Sequence, residues 1–450
     1  MTDDAPRLAT TSAADLPGNN SGAASGKPGE NRPMLWRDGS FWGMTATQFL
    51  GAFNDNVFKQ ALMLLAISTG GDKPVRDLQW VTLLVFASPF LLFSSFAGYL
   101  SEIYSKRTVI VLSKVAEIVA MLLGAVAFAL YTQLGMFGLM VVLFLMGAQS
   151  AFFGPAKYGI LPEILRPRDL GRANGMFLMT TFLAIIFGVA AAGPIVNFLG
   201  GSLHWAAGIC VAIAVVGTLT SLLVRPVPAA SPDLTLDWEA VTVPRDVRTL
   251  LRNDRPLILA AFASCVFWMV GGLVQPSVNA LGKLQLLVGH PAADMYTSLL
   301  AASVGVGIAA GCLGAGFFSR DMVNFKLVRI GLWGIVVCLF ALCLPGADGS
   351  NLLGYGGSLA CLLLLGVFTG MFAVPLQVFI QSRPPEGMKG RLIATVNLAN
   401  WVAIVAAALV YFVMTELLRH FLWAPSTSFA FIALLLLPLA IFYRPRNEHV

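Results

Sequence analysis

Residues 154–175 read GPAKYGILPEILRPRDLGRANG, and residues 374–397 read VPLQVFIQSRPPEGMKGRLIATVN. Each stretch leaves an apolar run through a proline, crosses a short basic segment, and enters the next apolar run at a Gly-Arg pair. The distance from Pro155 to Gly171 and Arg172 nearly equals that from Pro375 to Gly390 and Arg391. A weaker echo relates GYLSEIYSKR (98–107) to GFFSRDMVNFK (316–326). The second half of the chain thus repeats connections of the first.

The runs between these connections fix the class. The 450 residues are 57% hydrophobic and 12% charged, with a mean hydropathy of +0.78, against roughly 25% charged residues in soluble domains. Apolar runs of about the 20 residues needed to cross a bilayer as a helix recur along the chain. Hydropathy predicts twelve spans, at 41–69, 79–102, 108–132, 135–157, 172–198, 203–225, 256–281, 294–318, 326–345, 354–381, 391–416 and 425–443. The polar segment 226–255 divides them into a bundle over 41–225 and another over 256–443, with 226–255 as a cytoplasmic linker. Residues 1–40 are rich in Ser, Ala, Gly, Pro and Asn, lack the apolar core of a secretory signal, and read as a disordered cytoplasmic tail; 444–450 form a second cytoplasmic tail.

Basic residues set the orientation. With both termini cytoplasmic, most of the 29 Lys and Arg residues lie on the inside, while Lys73, Arg76, Lys283 and Arg419 lie outside. Such a bias marks the cytoplasmic side. The net charge of +6 is therefore a topology signal, dispersed over many short loops, and not a nucleic-acid patch.

Halves repeated about an axis along the membrane normal characterise major facilitator transporters. The loop GYLSEIYSKR resembles that superfamily's signature, Gly-x-Leu-x-Asp-Arg-x-Gly-Arg-Lys. Gly98, Leu100, Glu102, Lys106 and Arg107 fit it, whereas Ile103 and Ser105 depart. The fold class expected is an all-α integral membrane protein, twelve transmembrane helices forming two six-helix pseudo-repeats. The resemblance implies a cytoplasmic gate latched through Glu102 and Arg107, with Gly98, Lys106, Arg172 and Arg391 around it. An ordinary positive-inside loop is the alternative.

Enzyme chemistry has little support. There is no P-loop, His204, His290, His420 and His449 lie in loops or at ends, and the six cysteines fall in apolar spans without a CxxC pair. No metal, redox or other cofactor is expected.

The exception to the apolar pattern is FNDNVFKQ (53–60), inside the first span. A charge at the bilayer centre costs about 2.5–3.5 kcal/mol on insertion scales, so Asp55 and Lys59 are functional candidates. Two readings stand: four residues apart, they can neutralise each other on one face, or they line a substrate path. Lys114 and Glu117 pose the same choice in the third span. At 3.6 residues per turn, Gln48, Ala52, Asp55 and Lys59 share a stripe, with Asn56 and Gln60 beside it. Lipid cannot satisfy such a stripe, so it faces the bundle interior. A zwitterionic wall suits a ligand with both charges, an ammonium approaching Asp55 and a phosphate Lys59. Other amphipathic substrates satisfy the same pattern.

QFLGAFNDN (48–56), PAKYGIL (155–161), RANG (172–175), VPL (374–376) and Asn397 with Leu398 together resemble the bacterial lysophospholipid transporter branch of the superfamily, over roughly 41–443. The resemblance implies alternating-access flipping of lysophospholipids, such as lysophosphatidylethanolamine, from the outer to the inner leaflet of the cytoplasmic membrane. A separate cytoplasmic acyltransferase would then re-acylate them. It places Asp55 and Asn56 at the acidic site of helix one and Lys157 at the lysine of helix four, with Asn54, Lys59, Gln60, Gln275 and Asn397 completing a substrate-binding set. Lys157 also has a plain reading, snorkelling to the cytoplasmic interface. Leu178, Gln275 and the pair Ala399 and Asn400 stand where the branch carries Glu, Arg and Glu, which bears on headgroup preference. The alternative function is a major facilitator exporter or proton-coupled carrier of another amphipathic compound or drug.

Overall fold

Lipid offers no partners for backbone N–H and C=O groups, so a chain of this composition folds as helices that bond within themselves. The computed structural model describes residues 32–67, 77–199, 203–233, 245–318, 324–346, 350–385 and 388–443. The expected tail 1–40 and linker 226–255 lie partly outside these residues, and the tail 444–450 wholly so. Among the described residues, ten helices are long and apolar enough to cross a membrane. In chain order the long helices are α1 (Gly39–Leu65), α2 (Gln79–Ile103), α3 (Lys106–Ala129), α4 (Tyr131–Gly159), α5 (Leu170–Phe198) and α6 (Leu203–Ser221). There follow α7 (Arg255–Leu281), α8 (Ala293–Phe318), α9 (Phe325–Cys343), α10 (Gly354–Ser382), α11 (Lys389–His420) and α12 (Thr427–Phe442). The ten exclude α1, which carries the polar stretch, and α12, which has 16 residues.

Local chemistry sets several ends. Asp38 caps α1 by accepting from the backbone of Ser40 at 2.9 Å, and Asp254 caps α7 by accepting from Leu257 at 3.1 Å. Each satisfies an amide that a helix start leaves without a partner. Gly135 takes a φ of 57° within α4, a left-handed conformation that glycine adopts without strain. Several short pieces lie outside the expected spans, among them a 3-10 turn Leu35–Arg37 that orders part of the expected tail, a one-turn helix Leu161–Ile164 between α4 and α5, and a nine-residue helix Arg245–Asn253 before α7. The last was read as linker because it is mostly polar; it buries Val247 and sets Asp246 against Arg391.

In the first bundle α1 packs on α5 and α6, α2 on α4, and α3 on α4 and α6. In the second, α7 packs on α11 and α10, α8 on α10, and α9 on α10 and α12. The two most extensive contacts between the first six and the last six long helices are α2 with α11 and α5 with α8, with smaller ones from α1 and α2 to α7. The closest seam joins α8 and α10. A Cβ on Gly307 or Gly311 would strike the Leu363 or Val367 carbonyl, and one on Gly366 or Gly370 the Val304 or Ile308 carbonyl. Small residues four apart let backbones approach in this way where lipid supplies no hydrophobic drive.

Candidate functional site

Successive residues of a helix leave its axis about 100° apart, so Asn54, Asp55 and Asn56 cannot share a face. Asp55 and Lys59 remain partly exposed, with Ala52 in line with them. The Asp55 carboxylate accepts from Ser150 Oγ at 2.5 Å and from Gln149 Nε2 at 3.4 Å, both on α4. The Lys59 ammonium lies 5.1 Å from the ring centroid of Phe86 on α2, within reach of a cation–π attraction. Among the described residues, no ion pair within 4.0 Å joins Asp55 to Lys59. Each charge instead has a partner on a neighbouring helix. The result is a carboxylate and an ammonium held apart on one face of α1, against α4 and α2.

The rest of FNDNVFKQ points elsewhere. Asn54 is fully buried and donates to Glu117 Oε1 at 2.8 Å. Glu117 is also paired with Lys114, one turn away on α3. Gly51 leaves room for that lysine: a Cβ there would lie 2.6 Å from Lys114 Nζ. Asn56 donates to its own helix, at the Ala52 carbonyl, 2.8 Å away, beneath Gly188 of α5. Gln48, expected on the polar stripe, is buried against α5, where Thr180 and Thr181 satisfy its amide.

Gln60 reaches the second bundle. Its Nε2 donates to Asn279 Oδ1 at 2.8 Å, and its Oε1 accepts from Gln275 Nε2 at 3.0 Å. Asn279 Nδ2 continues to Gln79 Oε1 at 2.9 Å. Gln79 Nε2 donates to Pro276 O at 3.0 Å and to Asp77 Oδ2 at 3.2 Å. Tyr411 of α11 donates its hydroxyl to Asp77 Oδ2 at 2.7 Å. Nearby, Lys283 donates to the Leu64 carbonyl at 2.8 Å and pairs with Asp294 at 2.7 Å. This buried polar ladder ties the Leu65 end of α1 and the start of α2 to α7, α11 and α8. Burial holds the Asp77 carboxyl above the ordinary carboxylate range, since desolvation disfavours the charged form.

The remaining candidates lie apart. Lys157 is half-buried, its ammonium 4.8 Å from the Tyr158 ring and 5.9 Å from that of Phe153. Asn397 and Arg172 are exposed, whereas Asn400, one turn from Asn397, is buried and accepts from Ser264 at 3.2 Å. Gly98 has open space around it. The partner expected for Glu102 needs correction. Lys106 meets Glu102 at 3.7 Å and Glu163 at 2.7 Å, while Arg107 donates to the Leu222 carbonyl at 3.3 Å. The extended Tyr104 between α2 and α3 sets the direction of the chain so that Lys106, not Arg107, lies against Glu102. Arg391 pairs with Asp246 at 2.5 Å.

Sequence reasoning missed Gln149, Ser150, Asp77, Gln79, Asn279 and Tyr411. Only the pair QS within VVLFLMGAQSAFFG (141–154) carried a usable signal, two polar residues amid a buried apolar run. A cavity of about 360 Å³ between α7, α11 and α12 is lined only by apolar residues, among them Leu273, Val413 and Leu435. It offers nothing to bind a headgroup.

A family model for the Major Facilitator Superfamily matches residues 44–408. The chain belongs to that superfamily. It is similar to a protein of Cronobacter sakazakii named lysophospholipid transporter LplT, 30% identical over 79% of this chain and 84% of the relative. Proteins of the same name from Serratia proteamaculans and Klebsiella pneumoniae are 27% and 28% identical, each over 83% of this chain and 87% of the relative. Among solved structures, a POT family transporter in complex with a thioalcohol-conjugated peptide superposes with a TM-score of 0.66 at 12% identity, covering 90% of this chain and 95% of that one. A bacterial homologue of the human lysosomal transporter Spinster, captured inward-facing and unoccupied, gives 0.64 at 12% identity over 90% and 96%. These two share the fold of this superfamily member.

Proposed function

We propose that this protein flips lysophospholipids from the outer to the inner leaflet of a bacterial cytoplasmic membrane by alternating access, delivering them to a separate cytoplasmic acyltransferase. The observation that carries the reading is the separated Asp55 and Lys59 on one face of α1, which is set among apolar helices. The similarity to proteins named as lysophospholipid transporters supports it. A phosphoethanolamine headgroup carries both complementary charges, and its chain has Phe, Leu and Met surfaces to follow. Gln149 and Ser150 position the carboxylate, and Phe86 positions the ammonium.

The architecture proposed is twelve spans in two six-helix halves, with α1 and α12 joining the ten apolar helices. The packing favours it, since the contacts of α1 to α6 with one another recur six helices later, and α2 with α11 matches α8 with α5. With both termini cytoplasmic, as the basic residues indicate, the Gln60 ladder lies at the outer face. The described conformation is then closed to the outside. The pair Lys106 and Glu163 and the pair Arg391 and Asp246 belong to the inner face, as parts of its gate.

The test uses cells lacking their own lysophospholipid carrier but retaining the acyltransferase. Labelled lysophosphatidylethanolamine is supplied outside and diacyl product is measured at matched membrane expression. Product with the wild type and at least tenfold less with Asp55→Ala is expected, because a charged hydrogen-bonding contact is worth roughly 1.5–3 kcal/mol. Wild-type protein that sits folded in the membrane and yields no product above empty vector would assign the site to another amphipathic substrate.

A further inference from the structure

Asp77 stands out among the groups that the transport reading leaves unused. Its carboxylate is half-buried beside α7 and α11, and among the described residues no Lys, Arg or His lies within 4.0 Å of it. Its backbone is held by an antiparallel bridge to Ile67, so it cannot swing out while the ladder is closed. The groups facing it are the Tyr411 hydroxyl of α11 and the backbone and side-chain nitrogens of Gln79. Beyond Gln79 stand the uncharged amides of Asn279 and Gln60. Among the described residues, the charged groups of neighbouring elements are engaged elsewhere: Lys283 with Asp294 and the Leu64 carbonyl, and Arg419 with Glu416.

We propose that Asp77 and Tyr411 form a proton-operated latch on the outer gate, closed when Asp77 carries its proton and released when it does not. The donor and acceptor count supports the protonated closed form. Tyr411 Oη lies within reach of two acceptors, Asp77 Oδ2 at 2.7 Å and the Pro276 carbonyl at 3.2 Å. With Asp77 protonated, its O–H donates to Tyr411 Oη, and the Tyr411 hydroxyl turns to the Pro276 carbonyl. Every group then has a partner, and a neutral chain links α2 to α11 and α7. With Asp77 ionised, the tyrosine must donate back to it, its link to Pro276 is given up, and a half-buried charge with no cationic partner among the described residues is left at that end of the molecule. Such a charge is costly. Opening the gate hydrates the carboxylate and relieves that cost. The closed gate thus binds the proton more tightly than the open one, so acid outside holds it shut and rising pH favours opening.

This inference rests on the carrier reading for its topology, and its test is chosen to be independent of substrate. Backbone hydrogen exchange of residues 60–65 and 276–286 is followed on the purified protein between about pH 5 and about pH 8, corrected for intrinsic exchange, where linkage allows up to about a tenfold change in the gate equilibrium per pH unit. Wild-type protection is expected to fall as pH rises. Asp77→Asn, which stays neutral and can still bond Tyr411, is expected to hold its protection throughout. Tyr411→Phe is expected to lower protection at acid pH, because the neutral chain is broken. Asp77→Asn tracking the wild type, or a wild type insensitive to pH, would overturn the latch. A failed latch with intact lysophospholipid uptake leaves the transport reading standing, and pH-dependent protection without uptake does the reverse.

Discussion

Lys114 and Glu117 are buried charges, both about 1% exposed, and Asn54 of α1 donates to Glu117. Removing one member of a buried pair strands the other, at a cost of about 3–5 kcal/mol, whereas removing both charges is often nearly neutral. Lys114→Met alone is therefore expected to lower the thermal midpoint of the purified protein sharply, and Lys114→Met with Glu117→Gln to recover most of the loss. At the exposed face, Ser150→Ala is expected to slow uptake less than Asp55→Ala, since Gln149 remains as a donor to the carboxylate. Asp55 and Lys59 were legible in the sequence because a charge amid apolar residues announces itself whatever surrounds it. The destinations of Asn54, Asn56 and Gln60 were not. Each depends on which helix lies across from it, and a single helical wheel does not contain its neighbours.

Helices follow the same division. Their existence and approximate bounds came from apolar run length, which is a local property. The helix Arg245–Asn253 escaped because it is polar and short, and α11 runs to His420, beyond the span expected at 391–416. The glycine seam between α8 and α10 was equally hidden, since a glycine's value depends on what its missing Cβ would meet. Two substitutions of one kind separate the cases. Gly366→Ala places a methyl against the Val304 carbonyl and is expected to lower stability by parting the helices. Gly314→Ala, on α8 with nothing within 4 Å, is expected to be neutral or slightly stabilising, because alanine exceeds glycine in helix propensity by roughly 1 kcal/mol. Thermal melts of the two proteins decide the sign of each.

Across the whole molecule, repeated loops at 154–175 and 374–397 pointed to the six-plus-six organisation proposed above, while the ladder that closes one end was invisible, being assembled from residues as far apart as Gln60 and Tyr411. Asn279 shares hydrogen bonds with both Gln60 and Gln79, each worth about 0.5–1.5 kcal/mol net. Asn279→Ala is expected to raise hydrogen exchange at residues 60–65 several-fold at neutral pH, and unchanged exchange would show that the ladder does not hold the bundles together. The glycine seam also bears on how any opening is transmitted. Because α8 is joined to α10 by two glycines on each side, and rests on α5 from Gly193 near its start to Ile186 opposite Gly305, the two helices form a single stiff unit seated on α5. At 1.5 Å per residue the 26-residue α8 is about 39 Å long, so a tilt of about ten degrees would displace one end relative to the other by ~7 Å. A slip of the ladder at one membrane face would thereby be passed to the other as a tilt of this unit, without any bend in the helices themselves.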